Sequence, residues 1–187
     1  MRAVPDSTTR LVLAGFQDAG PLHWQSRWAA ADPRYVKLAH SSWDAPDRHV
    51  WVSELEAFRP TLDPDTVIVA HSLGCLLTAY WAAQTNYSVR AALLVAPPNL
   101  GRPDAPPSIT NFRDPPMTPL PFPSLVVGSD DDPYASVDHM AGCARAWGSR
   151  FVLLQGAGHV GSMSPVREWQ AGKALLDELL GQCPMQR

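Results

Sequence analysis

Apolar residues fall along this chain in short runs, and between the runs they recur three and four positions apart. Residues 10–14 (RLVLA), 35–39 (YVKLA), 66–70 (TVIVA), 91–96 (AALLVA), 124–128 (SLVVG) and 150–154 (RFVLL) are the short runs. They are aliphatic or β-branched and bounded by turn formers, which predicts six strands. The intervening pattern predicts helices. Over 23–32, Trp24 and Trp28 share one face. Over 47–58, Val50, Trp51, Leu55 and Phe58 keep helical spacing and Pro60 ends the run. Residues 73–83 are rich in Ala and Leu without Pro. Further helices are expected over 136–147 and 166–180, the last with Pro165 in its opening turn. Strands that alternate with helices and are apolar on both faces predict an α/β three-layer sandwich. Its sheet should be six-stranded and mostly parallel, joined by right-handed crossovers. Residues 97–123 interrupt the alternation. They are Pro-rich and aperiodic, the mark of a functional or partly disordered loop. With no internal repeat and no linker, one domain over residues 1–187 is expected.

Composition narrows the field. Apolar residues at 45% and charged residues at 18% suit a globular chain with a real core. A net charge of −3 without a basic run gives no support to nucleic-acid or anionic-membrane binding. No apolar segment is long enough to span a bilayer, and Met1-Arg2-Ala3-Val4-Pro5-Asp6 lacks the apolar core of a signal peptide. Cys75, Cys143 and Cys183 fit neither a zinc ribbon nor a redox pair, so reduced thiols and a cytoplasmic location are expected. His23, His40, His49 and His139 show no metal-ligand spacing, and neither a metal nor a cofactor is expected.

The third strand runs into His71-Ser72-Leu73-Gly74 and then the helix at 73–83. A serine at such a strand-to-helix turn has the setting of a nucleophile elbow, with Ala70 where the usual pattern has its first Gly. The competing reading is a Ser that only caps the helix. Two other strand ends decide between them. The fifth is followed by Ser129-Asp130-Asp131-Asp132-Pro133-Tyr134 and the sixth by Gly156-Ala157-Gly158-His159. In a parallel sheet all three turns lie at one edge, where ligands bind. The order Ser, Asp, His is that of the α/β-hydrolases. A hydroxyl needs a base to become a nucleophile, an imidazole supplies one near neutral pH, and a carboxylate orients the imidazole. His71, next to the serine, is expected to support the turn instead. The oxyanion hole should use the backbone N–H of Leu73 and one from the loop after the first strand, Phe16 or Gln17, with Phe16 the first choice. Pocket walls are expected from Phe16, Trp24, Trp43, Phe112 and Met117.

These pieces resemble a known family, the small α/β-hydrolases typified by the retinoblastoma-binding serine hydrolase and its bacterial relatives. The resemblance rests on Gly15, His23-Trp24-Gln25-x-x-Trp28, His71-Ser72-Leu73-Gly74-Cys75, Ser129-x-x-Asp132-Pro133-Tyr134, Gly158-His159-x-x-Ser162 and Trp169 in the last helix. It implies a trimmed α/β-hydrolase fold without a separate lid domain. It also implies Ser72 as nucleophile, Asp132, ahead of Asp130 and Asp131, as the acid, and His159 as the base. The animal protein's partner motif, Leu-x-Cys-x-Glu, is here Leu73-Gly74-Cys75-Leu76-Leu77, so there is no basis for a retinoblastoma-type partner. The expected function is a serine hydrolase that cleaves small carboxylic esters through an acyl-enzyme. Amides and thioesters share that chemistry, and a non-catalytic binding protein on the same fold is the alternative. A flavodoxin-like nucleotide binder has no fingerprint in residues 15–20.

Overall fold

The structure is a computed structural model that describes residues 8–183. The stretch of residues 1–6 considered above for a leader therefore lies outside the described residues. Six strands form one sheet: β1 (Arg10–Leu13), β2 (Tyr35–Lys37), β3 (Val67–His71), β4 (Ala91–Val95), β5 (Ser124–Ser129) and β6 (Arg150–Leu154). Their order is β2-β1-β3-β4-β5-β6, and every neighbouring pair is parallel. Five helices connect or follow them: α1 (Trp24–Ala31), α2 (Arg48–Phe58), α3 (Leu73–Ala82), α4 (Val137–Trp147) and α5 (Gln170–Gln182).

Side-chain alternation in the strands builds two cores. Leu11, Leu13, Ile68, Ala70, Ala92, Leu94 and Val126 face α2, α3 and α4, where they meet Trp51, Leu55, Leu76, Trp81 and Trp147. Val12, Val67, Val69, Leu93, Val95, Leu125 and Val127 face α1 and α5 and meet Trp24, Trp28, Leu176 and Leu179. Both faces of the central strands are thus dry, which explains their uninterrupted apolar runs. Burying each such side chain contributes about 1.5–3 kcal/mol. Helix α3 runs through the first core with Leu73 to Trp81 all buried. None of the helices among the described residues is long and apolar enough to cross a membrane.

Helix starts follow their caps. The Asp47 carboxylate accepts from the N–H groups of His49 and Val50, and the Ser136 hydroxyl from that of His139. One start differs from expectation. Helix α5 begins at Gln170, not near Val166, because Arg167 and Trp169 both adopt positive φ (45° and 43°). Trp169 consequently precedes the helix, where its indole packs on Trp24 and Trp28. The Pro-rich connection 97–123 contains a short 3-10 turn, Pro107–Phe112, that buries Ile109 and Phe112 against the first core.

The chain leaves β1 toward one side, to β2, and returns through α2 to β3 on the other. The loops that leave β1 and β3 therefore diverge, and a crevice opens between them at the carboxyl edge of the sheet.

Candidate active site

Ser72 stands at that crevice. β3 ends at His71 and α3 starts at Leu73, so the single residue between them turns the chain at φ 54°, ψ −121°. An L-residue is strained there, a cost of about 1–3 kcal/mol typical of functional turns. The turn is held by Ser72 N–H, which donates to the Val95 carbonyl at 2.8 Å. Two glycines make room for it. A Cβ on Gly74 would lie 2.3 Å from the Leu13 carbonyl oxygen, and one on Gly15 would lie 2.8 Å from Ser72 Cβ. The Ser72 side chain makes no capping bond to α3. Its Oγ instead lies 2.8 Å from His159 Nε2.

The other ring nitrogen of His159 faces Asp132, with Nδ1 at 2.9 Å and 3.1 Å from the two carboxylate oxygens. The Asp132 carboxylate is fully buried and also accepts from Tyr134 N–H at 2.8 Å. Ser72, His159 and Asp132 thus form one continuous hydrogen-bonded line, with Nδ1–H donating to the carboxylate and Nε2 free to accept from the hydroxyl. Asp130 and Asp131 precede this acid in the chain. Each in fact has a partner in the turn after β6. Asp130 accepts from Gly156 N–H at 2.8 Å, and Asp131 accepts from Gly158 N–H and from the Ser129 hydroxyl, both at 2.7 Å. Ser129 Oγ in turn accepts from Ala157 N–H at 2.9 Å. Four consecutive side chains, from the last residue of β5 onward, therefore clasp four consecutive residues after β6. These bonds hold the Asp131 carboxyl below its ordinary range, the Ser129 hydroxyl contributing most.

Three histidines lie in line behind the serine. The His71 and His159 rings are 4.9 Å apart, and the His23 and His71 rings 4.6 Å. His71 does not reach Ser72 Oγ. Its Nε2–H donates to the His159 carbonyl at 2.8 Å, so it steadies the loop that carries the imidazole, not the turn it sits in. Burial, reinforced by the neighbouring His23 and His159, pushes the pKa of His71 well below its ordinary value. His23 is lowered to about 4, chiefly by burial. Both rings are neutral at neutral pH.

The motif that begins at His23 also acts through support. Gln25 Nε2 donates to the Leu13 and Val69 carbonyls, at 3.2 and 2.9 Å, and so ties β1 to β3 just below the crevice. Trp24 Nε1–H donates to the Val160 carbonyl at 2.7 Å, and Trp28 Nε1–H to that of Glu168 at 2.9 Å. Their spacing on one helical face was the signal in the sequence, but not the carbonyls they would find.

A cavity of about 970 Å³ opens over Ser72 and His159, with apolar walls from Phe16, Leu73, Pro98, Leu100, Ile109 and Tyr134. Such a volume suits a small-molecule ligand. Phe16 is the one expected aromatic wall that lines it. Trp24 is a correction: it is buried against Trp28 and Trp169 on the far face of the sheet. Trp43 packs on His40 and Trp51 over α2, and Phe112 is buried between Trp51 and Tyr80. Met117 is half exposed and away from the cavity. The three aromatic side chains are taken up by the two cores, whereas Met117 faces solvent. The walls that were missed, Leu100 and Ile109, come from the aperiodic connection, where no pattern marks an inward side chain. Gln17 N–H donates to the Trp43 carbonyl at 3.1 Å, which leaves Phe16 N–H as the candidate donor in that loop. No three His, Cys, Asp or Glu side chains among the described residues are grouped to hold a metal ion.

Comparison with known proteins agrees with the fold. The family model described as serine hydrolase matches residues 10–178. Among solved structures, a YdeN-like hydrolase from Pectobacterium atrosepticum superposes with a TM-score of 0.82 at 25% identity, covering 95% of this chain and 93% of that one. The ydeN gene product of B. subtilis gives 0.72 at 17% identity, over 93% and 99% of the two chains. The type II thioesterase BorB from the borrelidin biosynthetic cluster gives 0.67 at 20%, over 97% and 94%. The curated proteins contain no significant match to this sequence. A match from the first strand into the last helix, on an all-parallel sheet of α/β-hydrolase type, establishes that the chain belongs to the serine hydrolase family.

Proposed function

We propose that this serine hydrolase cleaves small carboxylic esters through an acyl-enzyme on Ser72, with His159 as the base and Asp132 as its orienting acid. The observation that carries the reading is the 2.8 Å contact of Ser72 Oγ with His159 Nε2, backed by the 2.9 Å contact of Nδ1 with Asp132. As Oγ attacks the ester carbonyl, its proton passes to Nε2, and the resulting imidazolium is stabilised by the buried carboxylate. The N–H groups of Leu73 and Phe16 take the developing oxyanion, each such donor contributing about 3–4 kcal/mol. The imidazolium then gives its proton to the leaving alkoxide. Water, deprotonated by His159, releases the acid and restores Ser72. The reading takes residues 1–187 as one domain, supported by the single sheet that the described strands share. Three unpaired, buried thiols support a cytoplasmic setting.

The test is hydrolysis of a 4-nitrophenyl ester series, with a thioester of the same acyl chain, by the wild type and Ser72→Ala. The wild type should turn over and label with a fluorophosphonate. The variant should lose on the order of 10⁴-fold or more in kcat with its circular dichroism unchanged. Equal activity in both would remove Ser72 from the role. A wild type that neither turns over nor labels would favour a binding protein on this fold.

A further inference from the structure

The long connection after β4 carries a cation into the cavity wall. Arg102 lines the same cavity as Ser72 and His159, and its side chain is only 16% exposed. Its guanidinium lies over the Tyr134 ring, 4.8 Å from the centroid. The Tyr134 ring meets the His159 ring edge-on at 4.6 Å. A full positive charge therefore stands one aromatic ring away from the base of the reaction.

The partners of this charge are incomplete. Nη1 pairs with Asp104, whose side chain is 76% exposed, a kind of ion pair that contributes little in water. Nε is buried without a hydrogen-bond partner. An arginine cannot shed its proton, and its planar fork suits a carboxylate with two oxygens. The carboxylates on the cavity wall are committed elsewhere. Asp18 pairs with Lys37, and Asp131 is held by the Ser129 hydroxyl and Gly158 N–H. Leu100 and Ile109, which line the same cavity as Arg102 and Ser72, are apolar.

We propose that Arg102 is a specificity-determining residue, and that the site takes esters carrying a second, free carboxylate, which the guanidinium binds. The proposal rests on the ester-hydrolase reading above. The carboxylate could belong to the acyl group or to the leaving group, and the two are separable. Mono-4-nitrophenyl adipate carries it on the acyl side, 4-carboxyphenyl hexanoate on the leaving side, and 4-nitrophenyl hexanoate is the neutral reference.

Steady-state kinetics of the wild type, Arg102→Gln and Asp104→Asn on these three esters make the test. Arg102→Gln should lower kcat/KM for one charged ester roughly tenfold or more beyond its effect on the neutral one, mainly through KM. Asp104→Asn, which removes the competing surface anion, should raise kcat/KM for that same ester. An equal loss on all three esters overturns the proposal, because Arg102 would then act only by packing on Tyr134. If Arg102→Gln does not fold, Asp104→Asn decides: a gain on a charged ester upholds the proposal, and no gain overturns it. If the wild type hydrolyses none of the three, the ester reading falls by itself. Calorimetric binding of adipate then judges the anion site, upheld by binding that Arg102→Gln abolishes and overturned by its absence in the wild type.

Discussion

Asp132 differs from Asp130 and Asp131 in what it accepts from. The other two take backbone N–H groups of the β6 turn, whereas Asp132 takes the His159 ring. An amide in its place would keep the size and the bond from Tyr134 N–H but could donate to Nδ1 and favour the wrong tautomer. Asp132→Asn is therefore expected to lower kcat on the order of 10³–10⁴-fold while thermal denaturation stays near that of the wild type. Asp130→Asn, assayed beside it, should cost little. At this scale the sequence was legible where chemistry demands a residue type at a strand end, as for Ser72, the acidic run and His159. It was illegible for Trp24, Trp43 and Phe112, because an aromatic side chain has the same apolar surface whether a core or a pocket receives it, and for Met117, whose aperiodic loop gives no sign that it faces solvent.

The packing of α3 on β1 depends on one missing side chain. Gly74 sits in the first turn of α3, and a Cβ there would press on the Leu13 carbonyl, which is backbone and cannot swing away. Gly74→Ala should lower the unfolding free energy by about 1–3 kcal/mol, read from urea denaturation, although Ala is the better helix former. Fluorophosphonate labelling should slow as well, since the elbow would have to shift. The elements themselves were legible, because strands buried on both faces and helices with one apolar face leave different periods. The start of α5 was not. Pro165 looked like an opening turn, yet the chain first makes two residues of positive φ and lays the Trp169 indole over Gly172, where a Cβ would fall 2.2 Å from the ring. Nothing in residues 162–169 marks that detour, since neither Arg167 nor Trp169 is a residue that favours such a conformation.

Across the whole molecule, buried histidines make stability depend on pH. Burial lowers the pKa of His23, His40, His71 and His139, with His23 at about 4. Unfolding returns each to about 6.5, so below that pH the unfolded chain binds more protons than the folded one. Stability should therefore be complete above pH 6.5 and fall as pH drops toward 4, by about 3 kcal/mol for His23 alone. The urea midpoint should decline over that range. His23→Asn, which can still cap α1, should flatten the decline. The sheet order belongs to this scale too. The alternation of elements implied a parallel sheet, but that β1 lies between β2 and β3, and so opens the crevice, follows from how layers pack and not from any one segment.

The clasp between the turns after β5 and β6 works by count. Residues 129–132 meet residues 156–159 in bonds that each depend on both turns keeping their length. Such a joint tolerates a changed letter better than an added one. A single glycine inserted between Asp131 and Asp132 would carry the carboxylate past His159 while the upstream pairs kept their seats. The inserted chain should fold with nearly native circular dichroism yet label with fluorophosphonate at least about 100-fold more slowly. Among descendants of this chain, substitutions in these turns would be met more often than insertions or deletions.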